Sequence, residues 1–271
     1  MRIHLQSRYS HGRPEKRLKR FFSFCCIIII SLSCSLKEDR RTCPAILYLD
    51  FADKYEQSVS QLHILSGGVV VWEDTLTLDG SILNYSVSVP RKSIHVRVWA
   101  GAGDMITDDG LIIPVGSDCP EVYMHDSDIV ITGEDAREVI NLRKNHCLLT
   151  VKTENDSGFQ FGIHLSGNVC GYSILGEPLE GEFYSPMRKS DSGDLWEIVL
   201  PRQNDSSLML HVSDDTGVVK SFALGQYLLS GGYDWNALDL KDVSVILDYA
   251  LTQIKIVIDG WESVYTYDME I

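Results

Sequence analysis

Cys34 is the residue whose position in the chain points to the most specific chemistry. It follows an apolar run over residues 21–32, which comes directly after a basic run over residues 16–20. This order is typical of an export signal, and about a dozen apolar residues are too few to cross a bilayer, for which a helix needs roughly 20. The tripeptide ending at Cys34 is similar to a lipoprotein cleavage box, in which the cysteine is acylated. We therefore expect residues 1–33 to be a signal peptide and Cys34 to carry a lipid; an ordinary cysteine near a cleavage site is the open alternative.

Four further cysteines belong to the mature chain and could form two disulfides. An even number of cysteines in an exported protein permits such bonds, and three pairings are equally compatible with the sequence. Four partly buried free thiols in strands are an equally good interpretation. The chain has no CxxC pair, which argues against a thiolate zinc site. The four candidates are Cys43, Cys119, Cys147 and Cys170.

The common motifs of catalysis and of nucleotide binding are absent from the chain, including HExxH, GxSxG and the P-loop. Acidic residues within 104–109 and at 214–215 could bind calcium, but their spacing is not that of an EF-hand, and acidic turns are usually only solvated. Three histidines lie within strand patterns and are expected to be structural: His95, His164 and His211. We therefore predict no catalytic residue, no metal site and no cofactor.

The charge of the chain bears on its partners. The formal net charge is −14, and removal of the basic signal leaves a mature chain near −20. We do not expect nucleic acid as a partner, because phosphate binding needs a basic face and this chain is strongly acidic. An acidic surface instead favours solubility outside the cell.

Short runs of alternating apolar and polar residues continue from Cys43 to the end of the chain. This period of two is typical of half-buried strands, and glycine- and aspartate-rich turns such as Asp79-Gly80 separate the runs. Residues 134–141 could form either a short helix or a strand. The pattern predicts an all-β protein.

The two halves of the mature chain repeat three motifs in the same order, about 100 residues apart. A unit of ~100 residues with about seven short strands has the size of a β-sandwich. We therefore predict a spacer over residues 34–42, an N-terminal sandwich over 43–143 and a C-terminal sandwich over 144–271. The paired motifs begin at Cys43 and Cys147, at Leu62 and Ile163, and at Val89 and Leu200.

Both ends of the mature chain carry further recognisable motifs. The C-terminal end contains Gly232-Tyr233-Asp234-Trp235 and the run from Ile256 to Trp261, and the N-terminal end has Cys34 followed by Cys43-Pro44. These ends resemble the FimB-type fimbrillin-associated anchor subunits of Bacteroidales, which are minor fimbrial lipoproteins. Lys37, Glu38 and Asp39 are similar to the signal that sends lipoproteins of these bacteria to the cell surface.

The resemblance implies a fold, a location and a partner. The fold is a pair of tandem transthyretin-like (Greek-key) β-sandwiches after a lipoprotein signal peptide. The location is the exposed face of the outer membrane, to which the lipid on Cys34 would attach the protein. The function is to anchor a surface pilus and to initiate or limit its assembly, and the partner is the major shaft subunit, the fimbrillin.

Assembly of such a pilus would proceed by strand addition, in which a strand of one subunit completes a sheet of the next. Residues 261–271 are strand-prone and could be the donated strand. The alternative is that this segment completes its own sandwich. Candidate side chains for pockets of the partner are Val264, Tyr265, Tyr267 and Met269.

A second class of function is open at this stage. Tandem sandwiches with exposed tryptophans could bind glycans at the cell surface, and the candidates are Trp72, Trp99 and Trp196. The more usual role of a tryptophan in a strand is core packing. An enzyme with an unrecognised acidic site is the least favoured class.

Overall fold

The structure is a computed structural model. It describes residues 43–51, 59–77, 84–107, 109–154, 161–191, 195–248, 253–258 and 261–266. The residues from Pro44 onward form one compact unit. Within the described ranges there are twenty β-strands, one 3-10 turn (Gly103–Met105) and one α-helix, α1 (Leu224–Ser230). The predicted all-β fold is confirmed. The predicted signal peptide, Cys34 and the export signal at Lys37, Glu38 and Asp39 lie outside the described residues.

The first sandwich packs a three-stranded sheet, in the order β4-β1-β9, against a five-stranded sheet, in the order β10-β8-β5-β2-β3. Its strands are β1 (Ala45–Phe51), β2 (Val59–Ser66), β3 (Val69–Thr77), β4 (Asn84–Val89), β5 (Ser93–Ala100), β8 (Tyr123–Val130), β9 (Asp135–Ile140) and β10 (Arg143–Lys144).

The second sandwich packs the sheet β14-β15-β11-β18-β19-β20 against the sheet β17-β16-β12-β7-β6, with β13 on the other side of β12. Its strands are β6 (Ile106–Thr107), β7 (Gly110–Ile112), β11 (His146–Glu154), β12 (Gly162–Ser173), β13 (Pro178–Pro186), β14 (Arg188–Lys189), β15 (Leu195–Pro201), β16 (Met209–Asp214), β17 (Gly217–Phe222), β18 (Val243–Asp248), β19 (Gln253–Ile258) and β20 (Trp261–Thr266).

The alternation in the sequence places one face of each strand in the core. In β1, Leu47 and Leu49 are fully buried, whereas Tyr48 between them faces solvent. The segment at 134–141, which could have been a helix or a strand, forms the strand β9. It runs parallel to β1, with Leu47 opposite Ala136, and so forms one edge of its sheet.

The repeated motifs occupy equivalent positions in the two sandwiches. The strands β1 and β11, which carry the first motif, each have an antiparallel neighbour on one side and a parallel neighbour on the other. The strands β2 and β12, which carry the second motif, each lie between two antiparallel neighbours. The repeat in sequence is therefore a repeat in topology.

One part of the first half of the chain belongs to the core of the second sandwich. We name residues 110–124 the connecting segment. Its β7 pairs with the end of β12, and five of its apolar side chains are buried in the core of the second sandwich: Leu111, Ile113, Cys119, Val122 and Met124. The domain boundary between residues 143 and 144 stays a prediction. The core of the second sandwich contains residues from both sides of that boundary.

The pairing of β7 with β12 depends on a glycine. Gly171 has a φ of +147°, and a Cβ placed on it would lie 2.0 Å from the carbonyl oxygen of Leu111. No side chain fits at that distance, and the left-handed φ also favours glycine. Gly171 therefore permits the close approach that lets the connecting segment join the second sheet.

Candidate functional site

The C-terminal strands β19 and β20 are additions to the repeated topology. In the first sandwich, the sheet ends at β9, and no strand among the described residues pairs with the outer side of β9. In the second sandwich, the equivalent strand β18 is followed outward by β19 and then by β20. The last two strands therefore form a hairpin at the edge of an otherwise complete sheet.

The strand β20 lies at the outer edge of this hairpin. Its backbone pairs with β19 in an antiparallel register, with Val264 opposite Lys255 and Tyr265 opposite Ile254. The other edge of β20 has no strand partner among the described residues. An edge of this kind presents backbone N–H and C=O groups that another chain could pair with.

The structure locates only part of the predicted donor segment. Val264 and Tyr265 lie in β20, whereas Tyr267 and Met269 lie outside the described residues. The pairing of β20 with its own sheet is the arrangement expected if the segment completes its own sandwich. Donation of the segment to a neighbouring subunit stays a prediction.

The four cysteines of the described residues are free thiols in the structure. Cys43 is exposed, Cys170 is half-buried, and the other two are buried in the second core. Burial raises the pKa of the Cys119 thiol well above its ordinary value and that of Cys147 to about 12. Thiols of this kind are unreactive and act as small apolar side chains. Disulfide pairing stays a prediction.

The tryptophans proposed as glycan platforms differ in exposure. Trp99 is fully buried and Trp196 is 6% exposed, so both pack in the core of the second sandwich. Trp72 is 42% exposed, and its Nε1 donates a hydrogen bond of 3.1 Å to the hydroxyl of Tyr85. Only Trp72 of the three could therefore meet a ligand from solution.

The acidic turn at Asp214 is accounted for by local hydrogen bonds. Its Oδ1 accepts hydrogen bonds from the backbone N–H of Thr216 at 2.8 Å and from the Thr216 hydroxyl at 2.6 Å. These hydrogen bonds lower the pKa of the Asp214 carboxyl. No group of three metal-binding side chains occurs in the described part of the chain, and the 104–109 turn is only partly described.

Two of the strand histidines form a cross-strand pair on the outer face of the second sandwich. His164 and His211 stand opposite each other on β12 and β16, with ring centroids 4.8 Å apart. The His211 ring is held by the hydroxyls of Ser166 at 2.8 Å and Ser221 at 2.7 Å. The structural role predicted for these residues fits this geometry.

Stability is expected to depend on pH because burial lowers the pKa values of His125, His146, His164 and His211. A histidine with a lowered folded-state pKa binds a proton more readily in the unfolded chain, whose pKa is about 6.5. The stabilisation is therefore complete above about pH 6.5 and is lost as the pH falls through the lower folded-state values.

Urea unfolding at constant ionic strength measures this effect. The free energy of unfolding should be lower at pH 5.5 than at pH 7.5, and a His146→Phe variant should show a smaller difference than the unchanged protein. His146 is the variant of choice because it is 3% exposed and its Nδ1 lies 3.1 Å from the Val122 carbonyl oxygen. A pH difference that is unaltered in this variant would show that His146 does not contribute.

The contact region between the two sandwiches, which we name the seam, was not anticipated from the sequence. Arg97 on β5 is 2% exposed, forms an ion pair of 3.0 Å with Asp126, and donates to the carbonyl oxygen of Leu175 in the β12-β13 turn. Trp99, two residues along the same strand, packs edge-on against Tyr172 with ring centroids 6.4 Å apart.

A second polar cluster lies beside the seam, around Asn145 on the link between β10 and β11. The Tyr172 hydroxyl donates to the Asn145 carbonyl oxygen and accepts a hydrogen bond of 2.7 Å from the Arg202 backbone N–H. The Arg202 guanidinium donates to the Asn145 side-chain oxygen at 2.9 Å and to the carbonyl oxygen of Ala237, also at 2.9 Å. No signal in the sequence indicates the seam, because Arg97 stands at a polar position of the alternating run Ile94-His95-Val96-Arg97-Val98, where a side chain is expected to face solvent.

No helix in the described part of the chain is both long and apolar enough to span a membrane. The sequence matches no protein-family model, and it matches no curated protein.

In fold, the chain is a tandem β-sandwich of a kind already seen in bacterial fimbrial and adhesin structures. The fimbrial anchor protein Mfa2 from Porphyromonas gingivalis superimposes with a TM-score of 0.62 at 15% identity, covering 83% of this chain and all of that one. A candidate polysaccharide-binding protein from Bacteroides thetaiotaomicron gives 0.61 at 13% identity, covering 84% and 99%. A candidate adhesin from Bacteroides ovatus gives 0.60 at 14% identity, covering 84% and 96%. The resemblance to fimbrial anchor subunits is thereby confirmed at the level of the fold.

Proposed function

We propose that this protein is a lipid-anchored minor fimbrial subunit of the outer membrane. In this role it attaches a fimbria to the cell surface and initiates or limits its assembly by β-strand addition to the major shaft subunit. The observation that carries the proposal is the hairpin β19-β20, which extends a sheet beyond its repeated topology. The fold shared with a fimbrial anchor protein supports the same role.

Strand addition suits the geometry of the C-terminal hairpin. Among the described strands, the outermost strand, β20, pairs only with β19. When an edge strand leaves one sheet and enters another, its backbone hydrogen bonds are exchanged rather than lost, while alternate side chains can enter pockets of the new partner. Val264, Tyr265, Tyr267 and Met269 are the side chains proposed to enter those pockets.

Attachment to the membrane is assigned to the other end of the chain. The acyl chains on Cys34 would enter the outer membrane, and Lys37, Glu38 and Asp39 would direct the protein to the outer surface. A subunit held by lipid at its N-terminus and joined to the shaft at its C-terminus can occupy only one end of a fimbria. This would explain how one protein can both anchor and limit the structure.

Truncation after Gly260 tests the donor strand. We expect the truncated protein to remain folded, because β20 is the outermost strand of its sheet, and we expect cells that carry it to lose surface fimbriae. Electron microscopy of the cells and circular dichroism of the purified protein provide the two measurements. A matched variant on the same strand, Glu262→Gln, should leave fimbriation unchanged. A truncated protein that folds and still supports fimbriae would remove the donor strand from the proposal.

Mass spectrometry of the protein from its native outer membrane tests the anchor. We expect an acylated Cys34 as the first residue and a fimbrillin-like protein that co-purifies after mild solubilisation. A chain cut elsewhere, without a lipid and without a pilus subunit, would contradict the proposal as a whole.

A further inference from the structure

A polar cleft opens on one side of the seam. Its volume is about 410 Å³, which lies within the range of small-ligand pockets. The cleft is bounded by strands of the first sandwich, by the β12-β13 turn and by the loop that follows α1. Its side chains with hydrogen-bonding groups include Arg97, Arg143, Arg202, Asn141, Asn145 and Asn236.

The charge of this cleft is opposite in sign to that of the protein. Three arginines and one carboxylate line it: Arg97, Arg143, Arg202 and Asp126. Asp126 lies 3.0 Å from Arg97, and Asp239 lies 3.1 Å from Arg143. This leaves an excess of positive charge in a chain whose net charge is −14. An anionic ligand is therefore favoured here, whereas most of the molecular surface would repel it.

The arginines of the cleft differ in their capacity for further hydrogen bonds. The Nε of Arg97 is buried and has no hydrogen-bond acceptor among the described residues, although the side chain is only 2% exposed. Because this atom has no access to solvent, a ligand in the cleft does not reach it, and Arg97 contributes its charge rather than a hydrogen bond. Arg143 is about half exposed, and its one hydrogen bond to a side chain is the contact with Asp239. Its remaining guanidinium N–H groups could reach a ligand in the cleft.

The remaining lining residues indicate the kind of anion. Apart from the arginines, the cleft presents mainly side-chain amides, and its few apolar side chains, such as Met124 and Leu238, do not form a deep apolar pocket. A peptide anchor usually fills an apolar pocket, whereas a sugar presents many hydroxyl groups that amides can both donate to and accept from. A carboxylate on such a sugar would match the planar donors of an arginine.

We propose that this cleft binds a carboxylate-bearing sugar, such as a hexuronic acid residue of an acidic polysaccharide. Arg143 contacts the carboxylate, Arg97 and Arg202 add positive charge behind it, and Asn141 and Asn236 contact the ring hydroxyls. The proposal stands apart from strand addition, since none of these residues lies in β19 or β20. Failure of either proposal would leave the other intact.

Saturation-transfer NMR and calorimetry with the complete mature chain test this site. The probes are galacturonic acid and its short oligomers, with galactose oligomers as the uncharged match. We expect the acidic sugars to bind at least about tenfold more tightly than the neutral ones, and we expect binding to weaken as the salt concentration rises.

Two variants locate the binding. Arg143→Gln should reduce the affinity for the acidic oligomers about tenfold. The side chain of Arg188 is 68% exposed, lies outside the cleft and pairs with Asp118 at 3.2 Å, so Arg188→Gln makes the same change in charge and should have no effect. Both arginines are at the surface, so both variants should fold, and circular dichroism checks this.

Three outcomes would overturn the proposal. The first is no detectable binding of the acidic sugars up to about 10 mM. The second is equal binding of neutral and acidic oligomers. The third is an equal loss of affinity in the two variants, which would show a general electrostatic attraction rather than a site in the cleft.

Discussion

Replacement of Arg97 by alanine is expected to lower the free energy of unfolding by about 3–5 kcal/mol. The guanidinium is 2% exposed, and it supplies hydrogens to Asp126 on its own sheet and to the Leu175 carbonyl oxygen of the other sandwich. Alanine would remove both contacts, including the link to the other sandwich, and would open a cavity in the seam. Burial lowers the pKa of the guanidinium while Asp126 acts in the opposite direction, so the interaction partly offsets the cost of burying the charge.

Urea unfolding followed by fluorescence measures this loss. Arg137→Ala is the matched control, because its side chain is 68% exposed and pairs with Asp50 at 3.6 Å; the expected loss there is below about 1 kcal/mol. Arg97→Met keeps most of the volume without the charge, and should lose less than Arg97→Ala because the cavity is filled. Equal losses in the variants at 97 and 137 would show that the buried arginine does not join the sandwiches.

Replacement of Trp99 by alanine is expected to cost about 3–5 kcal/mol. Trp99 belongs to a strand of the first sandwich, yet its fully buried ring packs in the core of the second, against Tyr172. Removal of the ring leaves a large cavity at the point where the two cores meet. The same change should also weaken the coupling between the sandwiches, and calorimetry would then show two thermal transitions in place of one.

Trp72→Ala is the matched control for this variant. The Trp72 ring is 42% exposed and makes one hydrogen bond, to Tyr85, so we expect a loss of only about 1 kcal/mol. A loss at position 99 no larger than that at position 72 would mean that the seam is not an apolar contact. If Trp99→Ala is destabilised and still unfolds in one transition, the polar contacts of Arg97 and Arg202 are sufficient for coupling.

The strands with strict alternation could be predicted from the sequence, and others could not. Leu47 and Leu49 in β1 and Val243 to Leu247 in β18 show the period of two because one face of each strand is covered and the other is not. The strand β3 could not be predicted from alternation, because nearly all of its side chains are exposed and the contrast between its two faces is lost. The strand β13 was missed because glycine and acidic residues interrupt its apolar positions.

The short helix α1 was also missed, since its seven residues, Leu224–Ser230, are too few to establish a helical period, and its sequence continues directly from the strand β17.

The pairing of β7 with β12 could not be predicted from the local sequence. It joins Leu111 to Tyr172, and such a pairing depends on how two sheets meet rather than on the residues near either strand. The same reason explains why the seam and its cleft could not be predicted. In the sequence, Gly110 and Gly171 look like ordinary turn and strand glycines, and nothing near them indicates that they permit this pairing.

The candidate site was anticipated in outline. The C-terminal segment was identified by its motifs, and the structure shows β20 as an outer edge strand. The exposure of the tryptophans was not predictable, because Trp72, Trp99 and Trp196 all lie in strands with similar neighbours. Only the position of each strand within its sandwich decides which of the three rings is covered.

The connecting segment has a consequence for the order in which the chain can fold if it is exported, as proposed. Leu111 and Ile113 stand about 60 residues before the end of β12, with which their strand pairs. A chain that leaves the export machinery from its N-terminal end would expose these apolar side chains before their partner strand emerges. The first sandwich can then close while the segment that leads out of it stays uncovered. Such a stretch is a natural substrate for a holding chaperone until the last strands of the second core, which include Val243 and Ile256, have emerged.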